Sequence, residues 1–263
     1  MNTYLNERFE AGDSLLHRTD ARLKLIVALA LIFGIVLTPP AAWPAYPLLW
    51  ALVASLAILG NVSPWRLARL GSVALPFTLA AATLLFTTPG RPLVAIFGLT
   101  VSDAGFARFA AIMIKSWLAV QVTLLLSITT HFTNILWALS SLHLPDTLVA
   151  IIGFMYRYLF TLKDEVDRLL RARTARSARL DDHKAGGSLM WRARVAGGMV
   201  GNLFLRSYQR SERVHAAMLS RGYTGQMMVA HPPPIDMRAI AYAVAPIAAL
   251  VVIELLALLY WNR

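Results

Sequence analysis

Thr147-Leu-Val-Ala-Ile-Ile-Gly-Phe-Met-Tyr-Arg-Tyr-Leu-Phe-Thr-Leu162 runs without a break into Lys163-Asp-Glu-Val-Asp-Arg-Leu-Leu-Arg-Ala-Arg-Thr-Ala-Arg-Ser-Ala-Arg179. The first half is an apolar block of the length that asks for a membrane, and the second is a basic, helix-patterned stretch that refuses one. Whether residues 147–162 cross a bilayer decides the topology of the whole chain. The answer comes from the charges on either side.

Around this junction the chain is strongly apolar. Of its 263 residues 57% are hydrophobic and 15% charged, and the mean hydropathy is +0.58. A soluble domain carries about 25% charged residues. The apolar residues gather in runs near the roughly 20 residues that a spanning helix needs. These are Leu23–Thr38, Pro47–Gly60 lengthened by 41–46, Leu70–Thr87, Phe106–Thr129 and Ala239–Trp261. Pro39 and Pro40 stop the first run, Pro76 predicts a kink in the third, and Asn61-Val-Ser-Pro64 reads as a turn. No strand pattern and no repeat is evident. The expected fold is an all-α integral membrane protein of about five transmembrane helices with long cytoplasmic coupling helices. Its domains are an N-terminal membrane domain of four spans (1–130), a coupling-helix domain (131–225), and a linker with a C-terminal transmembrane helix (226–263).

Counting charges fixes the orientation. Lys and Arg accumulate on the cytoplasmic side of membrane proteins. If 147–162 does not span and the N-terminus is inside, twenty-one of the 25 basic residues lie inside. If it spans, fourteen of them move outside. The first arrangement is expected, with the C-terminus outside. The net charge of +11 is then a membrane-topology signal, and nucleic acid is not an expected partner. With no cysteine in the chain, disulfides and thiol chemistry are excluded.

Residues 163–221 hold thirteen Lys or Arg against six Asp or Glu. These charges lie on two helical patterns that end alike, in Ala175-Arg176-Ser177 and Ser220-Arg221-Gly222. An arginine in the last helical turn meets the negative end of the helix dipole, and Gly222 can supply the left-handed residue that closes the helix. Small neighbours let the guanidinium enter a partner's groove and pair with a carboxylate. Ala193, Gly197 and Gly201 recur at four-residue spacing, which admits the close crossing of another helix.

These residues resemble a known family. Ala217-Met-Leu-Ser-Arg-Gly-Tyr-Thr-Gly225 looks like the second coupling-helix motif of the transmembrane (T) component of energy-coupling factor (ECF) transporters, and Arg168-Leu-Leu-Arg-Ala-Arg-Thr-Ala-Arg-Ser177 looks like the first. Asp20-Ala-Arg-Leu-Lys-Leu25, Leu37-Thr-Pro39 and Met155-Tyr-Arg-Tyr158 also match, and the resemblance is nearest the CbiQ type, which serves cobalt uptake for cobalamin biosynthesis. It implies two ATPase subunits bound one to each coupling helix, a substrate-binding membrane (S) subunit, and a small accessory membrane subunit as a further partner. Arg176 and Arg221 carry over as ATPase anchors, flanked by Ala175, Ser177, Ser220 and Gly222. Ser177 stands where the family commonly has glycine, so Ala172-Arg173-Thr174 competes as the first register. Nickel and vitamin importers have similar T components.

No Gly-x-x-x-x-Gly-Lys-Ser/Thr loop occurs in the sequence, so ATP-driven work needs a partner. The chain is expected to be no enzyme and to hold no cofactor of its own. ATP and magnesium would sit on the ATPase, and the metal cargo on the S subunit. None of the six histidines is spaced as a helical metal ligand pair. A competing reading is a membrane-embedded lipid-processing enzyme with Asp164, Asp167, Asp181 and Asp182 as a cation site, although arginines crowd them. Lys115 and Glu254 lie inside apolar runs, at similar depth from the outer surface. Charges there usually pair or face the protein interior, so an ion pair between them is one reading and separate snorkelling of each is the other.

Overall fold

The computed structural model describes residues 12–89, 92–96, 99–142, 144–176, 188–223 and 237–261. They fall into two compact units, one carrying the apolar runs and one carrying the basic pair of helices.

The first unit begins with a short α1 (Leu15–Arg18) and then α2 (Ala21–Leu37), α3 (Ala45–Leu59) and α4 (Pro64–Gly71). The segment expected to form a kinked third span is broken more thoroughly. A 3-10 turn (Ser72–Ala74), α5 (Leu75–Thr78), a second 3-10 turn (Leu79–Thr83) and α6 (Leu84–Thr87) replace one helix. Pro76 has no N–H to give the turn before it, so the break falls where proline predicts one. An antiparallel hairpin follows, β1 (Pro92–Ile96) with β2 (Leu99–Ser102). It departs from the expectation of a chain without strands, and its short β-branched runs could not be told by periodicity from apolar helix. Then come α7 (Asp103–Thr129), α8 (Phe132–Ser141) and, after the basic unit in sequence, α11 (Met237–Leu256) with a closing π-turn (Ala257–Trp261).

Local chemistry sets the ends of these helices. Asp20 caps α2 by accepting from the Arg22 N–H at 2.9 Å, and Ser102 caps α7 by accepting from Gly105 N–H at 2.9 Å. Pro64 opens α4 at a position that has no N–H to lose. Asn61, at φ 56°, closes α3 with paired bonds from Val62 to Ala57 O and from Asn61 to Ile58 O.

The core of this unit is apolar and fully closed, with Leu31, Ile35, Leu49, Val53, Leu67 and Leu118 each no more than 2% exposed. They come from α2, α3, α4 and α7, and Leu250 of α11 joins them. Around that core the outer faces stay apolar: Phe33, Ile58 and Val252 are all exposed. Outer faces of this kind suit a lipid surrounding. Among the described helices, 103–129 and 239–259 are by themselves long and apolar enough to cross a bilayer, and Ala45–Leu59 is a shorter apolar helix.

One rim of this unit is stapled by cations. Lys24 Nζ donates to His17 O (3.4 Å), Thr129 O (3.1 Å) and Thr130 Oγ1 (3.3 Å), tying the α1–α2 corner to the end of α7. Arg22 lies 4.0 Å over the Trp137 ring and so holds α8 to α2.

The second unit contains α9 (Asp146–Arg176) and α10 (Leu189–Leu219), each of 31 residues. The apolar block 147–162 and the basic stretch after it therefore form one unbroken helix up to Arg176, as their fused pattern suggested.

Candidate coupling helices and their arginine tips

α9 starts with Asp146 in its first turn and ends with Arg173 and Arg176 in its last, so both ends suit the helix dipole. Ser188 caps α10 by accepting from Trp191 N–H at 3.3 Å. At the far end of α10 the chain closes as the sequence predicts. Gly222 has φ +81°, Tyr223 N–H donates to Met218 O at 3.0 Å, and Gly222 N–H donates to Leu219 O at 3.0 Å. This paired closure satisfies two terminal carbonyls and needs a residue without Cβ strain. Arg221 sits inside the closing turn and is exposed, as are Ser220 and Gly222. The Ser220 hydroxyl turns back to Ala217 O at 2.9 Å.

At the first tip, Ala175 and Arg176 are exposed as the last two residues of α9, and Ser177 lies outside the described residues. The competing Arg173 is partly covered one turn earlier, and Thr174 turns its hydroxyl back to Arg171 O at 2.8 Å. Arg176 thus holds the more accessible position.

The two helices meet through charge. Glu165 of α9 accepts from Arg206 of α10 at 2.6 Å and from Arg168 at 2.9 Å, one carboxylate oxygen to each guanidinium. The hydrogen bond from Arg206, then the positive charges of both arginines, hold the Glu165 carboxyl below its usual range. Sequence reasoning missed this contact. The Glu165–Arg168 spacing of three residues was visible, but nothing local points to Arg206, 41 residues away.

The small residues of α10 lie apart from this crossing. Ala193, Gly197 and Gly201 do not form it. All three are exposed, and a Cβ added at Gly197 or Gly201 would meet nothing within 4 Å. The contact lies further along α10, where Arg206 reaches Glu165 and leaves the small residues open. No residue of α10 is buried, and Val200, Phe204, Leu205 and Tyr208 stand exposed on it.

In the apolar unit the two charges inside apolar runs each take a partner at the end of α2. Among the described residues Lys115 and Glu254 form no direct ion pair. Lys115 Nζ donates to Val36 O at 2.9 Å, and Glu254 accepts from the Thr38 hydroxyl at 2.6 Å. Both charges are drawn to the same place, the end of α2. Its last carbonyls have no helical partner, and a cation there satisfies one of them directly. Of the four acids of the enzyme reading, two lie among the described residues. Lys163 takes Asp167 at 3.4 Å, Asp164 is exposed, and Asp181 and Asp182 lie outside the described residues.

Comparison with known proteins now decides the family. Residues 12–230 match the CbiQ family, described as cobalt transport protein. The chain belongs to this family. It is 30% identical over 232 residues to the energy-coupling factor transporter transmembrane protein EcfT of Listeria innocua, covering 83% of this chain and 84% of that one. EcfT 1 of Listeria monocytogenes is 28% identical over 227 residues, covering 83% and 84%. An uncharacterized protein of Methanocaldococcus jannaschii is 26% identical over 251 residues, covering 91% and 83%. As a CbiQ-family member the chain is a membrane transport protein, and both helix tips, Arg176 and Arg221, fall inside the matched span.

Proposed function

We propose that this chain is the coupling subunit of an ATP-driven ECF importer. In this reading Arg176 and Arg221, with Ala175, Ser177, Ser220 and Gly222 around them, plug into two ATPase subunits. The open face of α10 at Ala193, Gly197 and Gly201 receives a helix of the substrate-binding membrane subunit, and a small accessory membrane subunit completes the assembly. ATP and magnesium act on the ATPases, and the cargo stays on the substrate-binding subunit. The observation that carries the reading is the form of α9 and α10. They are two long, nearly unburied helices, each with an exposed arginine at its end, and one is locked by Gly222. Such surfaces are not stabilised by burial within the chain, and they suit docking to partners.

The topology that fits is five spans, with the N-terminus and residues 163–221 in the cytoplasm, the C-terminus outside, and the protein in the cytoplasmic membrane of a bacterium or archaeon. The family description favours cobalt, carried in for cobalamin synthesis. The relatives named EcfT carry no cargo in their names, so nickel or a vitamin is the alternative.

Co-expression with candidate ATPases tests the coupling reading. Arg176→Glu and Arg221→Glu are expected to abolish co-purification while the apolar unit keeps its thermal transition. Docking that survives both charge reversals overturns it. Because the chain has no native cysteine, a single Ser188→Cys reports topology directly. It should react with an impermeant maleimide in inverted vesicles and not in intact cells. Uptake of labelled cobalt, nickel and vitamins by cells expressing the complete complex decides the cargo.

A further inference from the structure

Between α9 and α10 lies a recess of about 220 Å³. Leu162 and Leu203 line it together with Glu165, Arg206, Arg210 and Arg213. The three arginines stand at i, i+4 and i+7 on α10, which places them on one ridge of the helix. Glu165 is the one acid among the lining residues, and both of its oxygens are already taken, by Arg206 and Arg168. Arg210 and Arg213 have no carboxylate partner among the described residues, yet they face the same recess. Guanidinium groups one helical turn apart repel each other, and an anion held between them offsets that repulsion. The lining is mixed, with a leucine from each helix beside the guanidinium groups. Leu162 is the last residue of the apolar block of α9, and the charged stretch begins beside it at Lys163.

From this geometry we infer that the recess is a binding site for a phosphate group, contacted by Arg210 and Arg213, with the glycerol end of an anionic phospholipid over Leu162 and Leu203. Arginine forks match phosphate oxygens in pairs, and a recess lined also by leucines suits a phosphodiester that carries carbon on both sides. The other source of the same chemistry is soluble phosphate. The bound anion would complete the charge balance of the helix crossing that Glu165 begins. The inference does not depend on ATPase docking, since neither arginine belongs to the helix tips.

The test uses the full chain in nanodiscs of phosphatidylcholine mixed with phosphatidylglycerol. Native mass spectrometry after release counts the phosphatidylglycerol that stays bound. The wild type should retain one molecule. Arg210→Gln/Arg213→Gln should lower its retention about tenfold. The control Arg171→Gln/Arg194→Gln removes the same charge from exposed positions outside the recess and should retain it. Circular dichroism and size exclusion confirm that each variant is folded. Calorimetry with inorganic phosphate in lipid-free detergent separates the sources. Heat that vanishes in Arg210→Gln/Arg213→Gln assigns a soluble ligand, and its absence beside a retained lipid assigns the phospholipid. The inference is overturned if the wild type binds neither, if both double variants lose lipid equally, or if Arg210→Gln/Arg213→Gln keeps it.

Discussion

The glycines of the two units do opposite things. In the apolar unit Gly105 and Gly34 sit at close approaches of the chain. A Cβ at Gly105 would come within 2.7 Å of Leu84 O and 2.9 Å of Leu85 O, and one at Gly34 within 2.7 Å of the Leu250 side chain. In α10, Gly197, Gly198 and Gly201 have nothing within 4 Å. The first set brings the chain close to itself, and the second leaves a flat strip of backbone uncovered. The apolar unit therefore completes its own packing. The α9–α10 unit keeps a surface that none of its described residues fills.

The contrast can be broken most sharply at Gly105. Gly105→Ala pushes a methyl group against two backbone carbonyls that cannot step aside, and should cost about 3 kcal/mol or more. Thermal unfolding in detergent should show the loss, and an unchanged melting temperature would mean that the close approach is not real. Lys115→Ala comes next. It leaves Val36 O without its partner and should cost about 1–2 kcal/mol, while Glu254→Gln keeps an acceptor for Thr38 and should cost less. Equal losses from the two variants would instead point to a charge pair acting at longer range.

Gly222→Ala tests the α10 tip. A left-handed residue other than glycine costs about 1 kcal/mol, enough to weaken ATPase docking about fivefold without moving the melting temperature of the apolar unit. Gly197→Ala/Gly201→Ala should leave thermal stability unchanged or raise it by up to about 1 kcal/mol, because alanine favours helix. The same double variant should lose the substrate-binding subunit in pull-downs. Destabilisation of the isolated chain would show that the strip is covered from within.

The smallest effect concerns pH. The Glu165 carboxyl sits below its usual value of 4.5, so its contribution is present above that pH and fades as pH falls beneath it. Spin labels on α9 and α10 should report a fixed separation at neutral pH and a broader one in acid. Glu165→Gln should show the broad distribution at every pH.

Much of this was legible in the sequence because the signals are local. The junction at Leu162–Lys163 showed α9 as one rod, the Ser-Arg-Gly ending showed a left-handed closure at Gly222, and Pro76 marked the break after α4. Features that depend on distant partners were not legible. Lys115 finds Val36 O, 79 residues away, and Glu165 finds Arg206, 41 residues away, and no periodicity encodes either meeting. Four-residue spacing showed that Gly197 and Gly201 could admit a neighbour, but not that α9 would leave them free. The hairpin at 92–102 was hidden for another reason, since a short β-branched run looks the same in a strand as at the edge of an apolar helix.

The ion pair at Glu165 also has a mechanical side. It grips α9 off centre, about 16 Å from Arg176 and about 28 Å from Asp146 at helical rise. Were α9 to turn about that point, a sideways push of about 3 Å at the arginine end would swing the opposite end by about 5 Å. The gearing favours travel over force, and moving Glu165 a single turn along the helix would change the ratio.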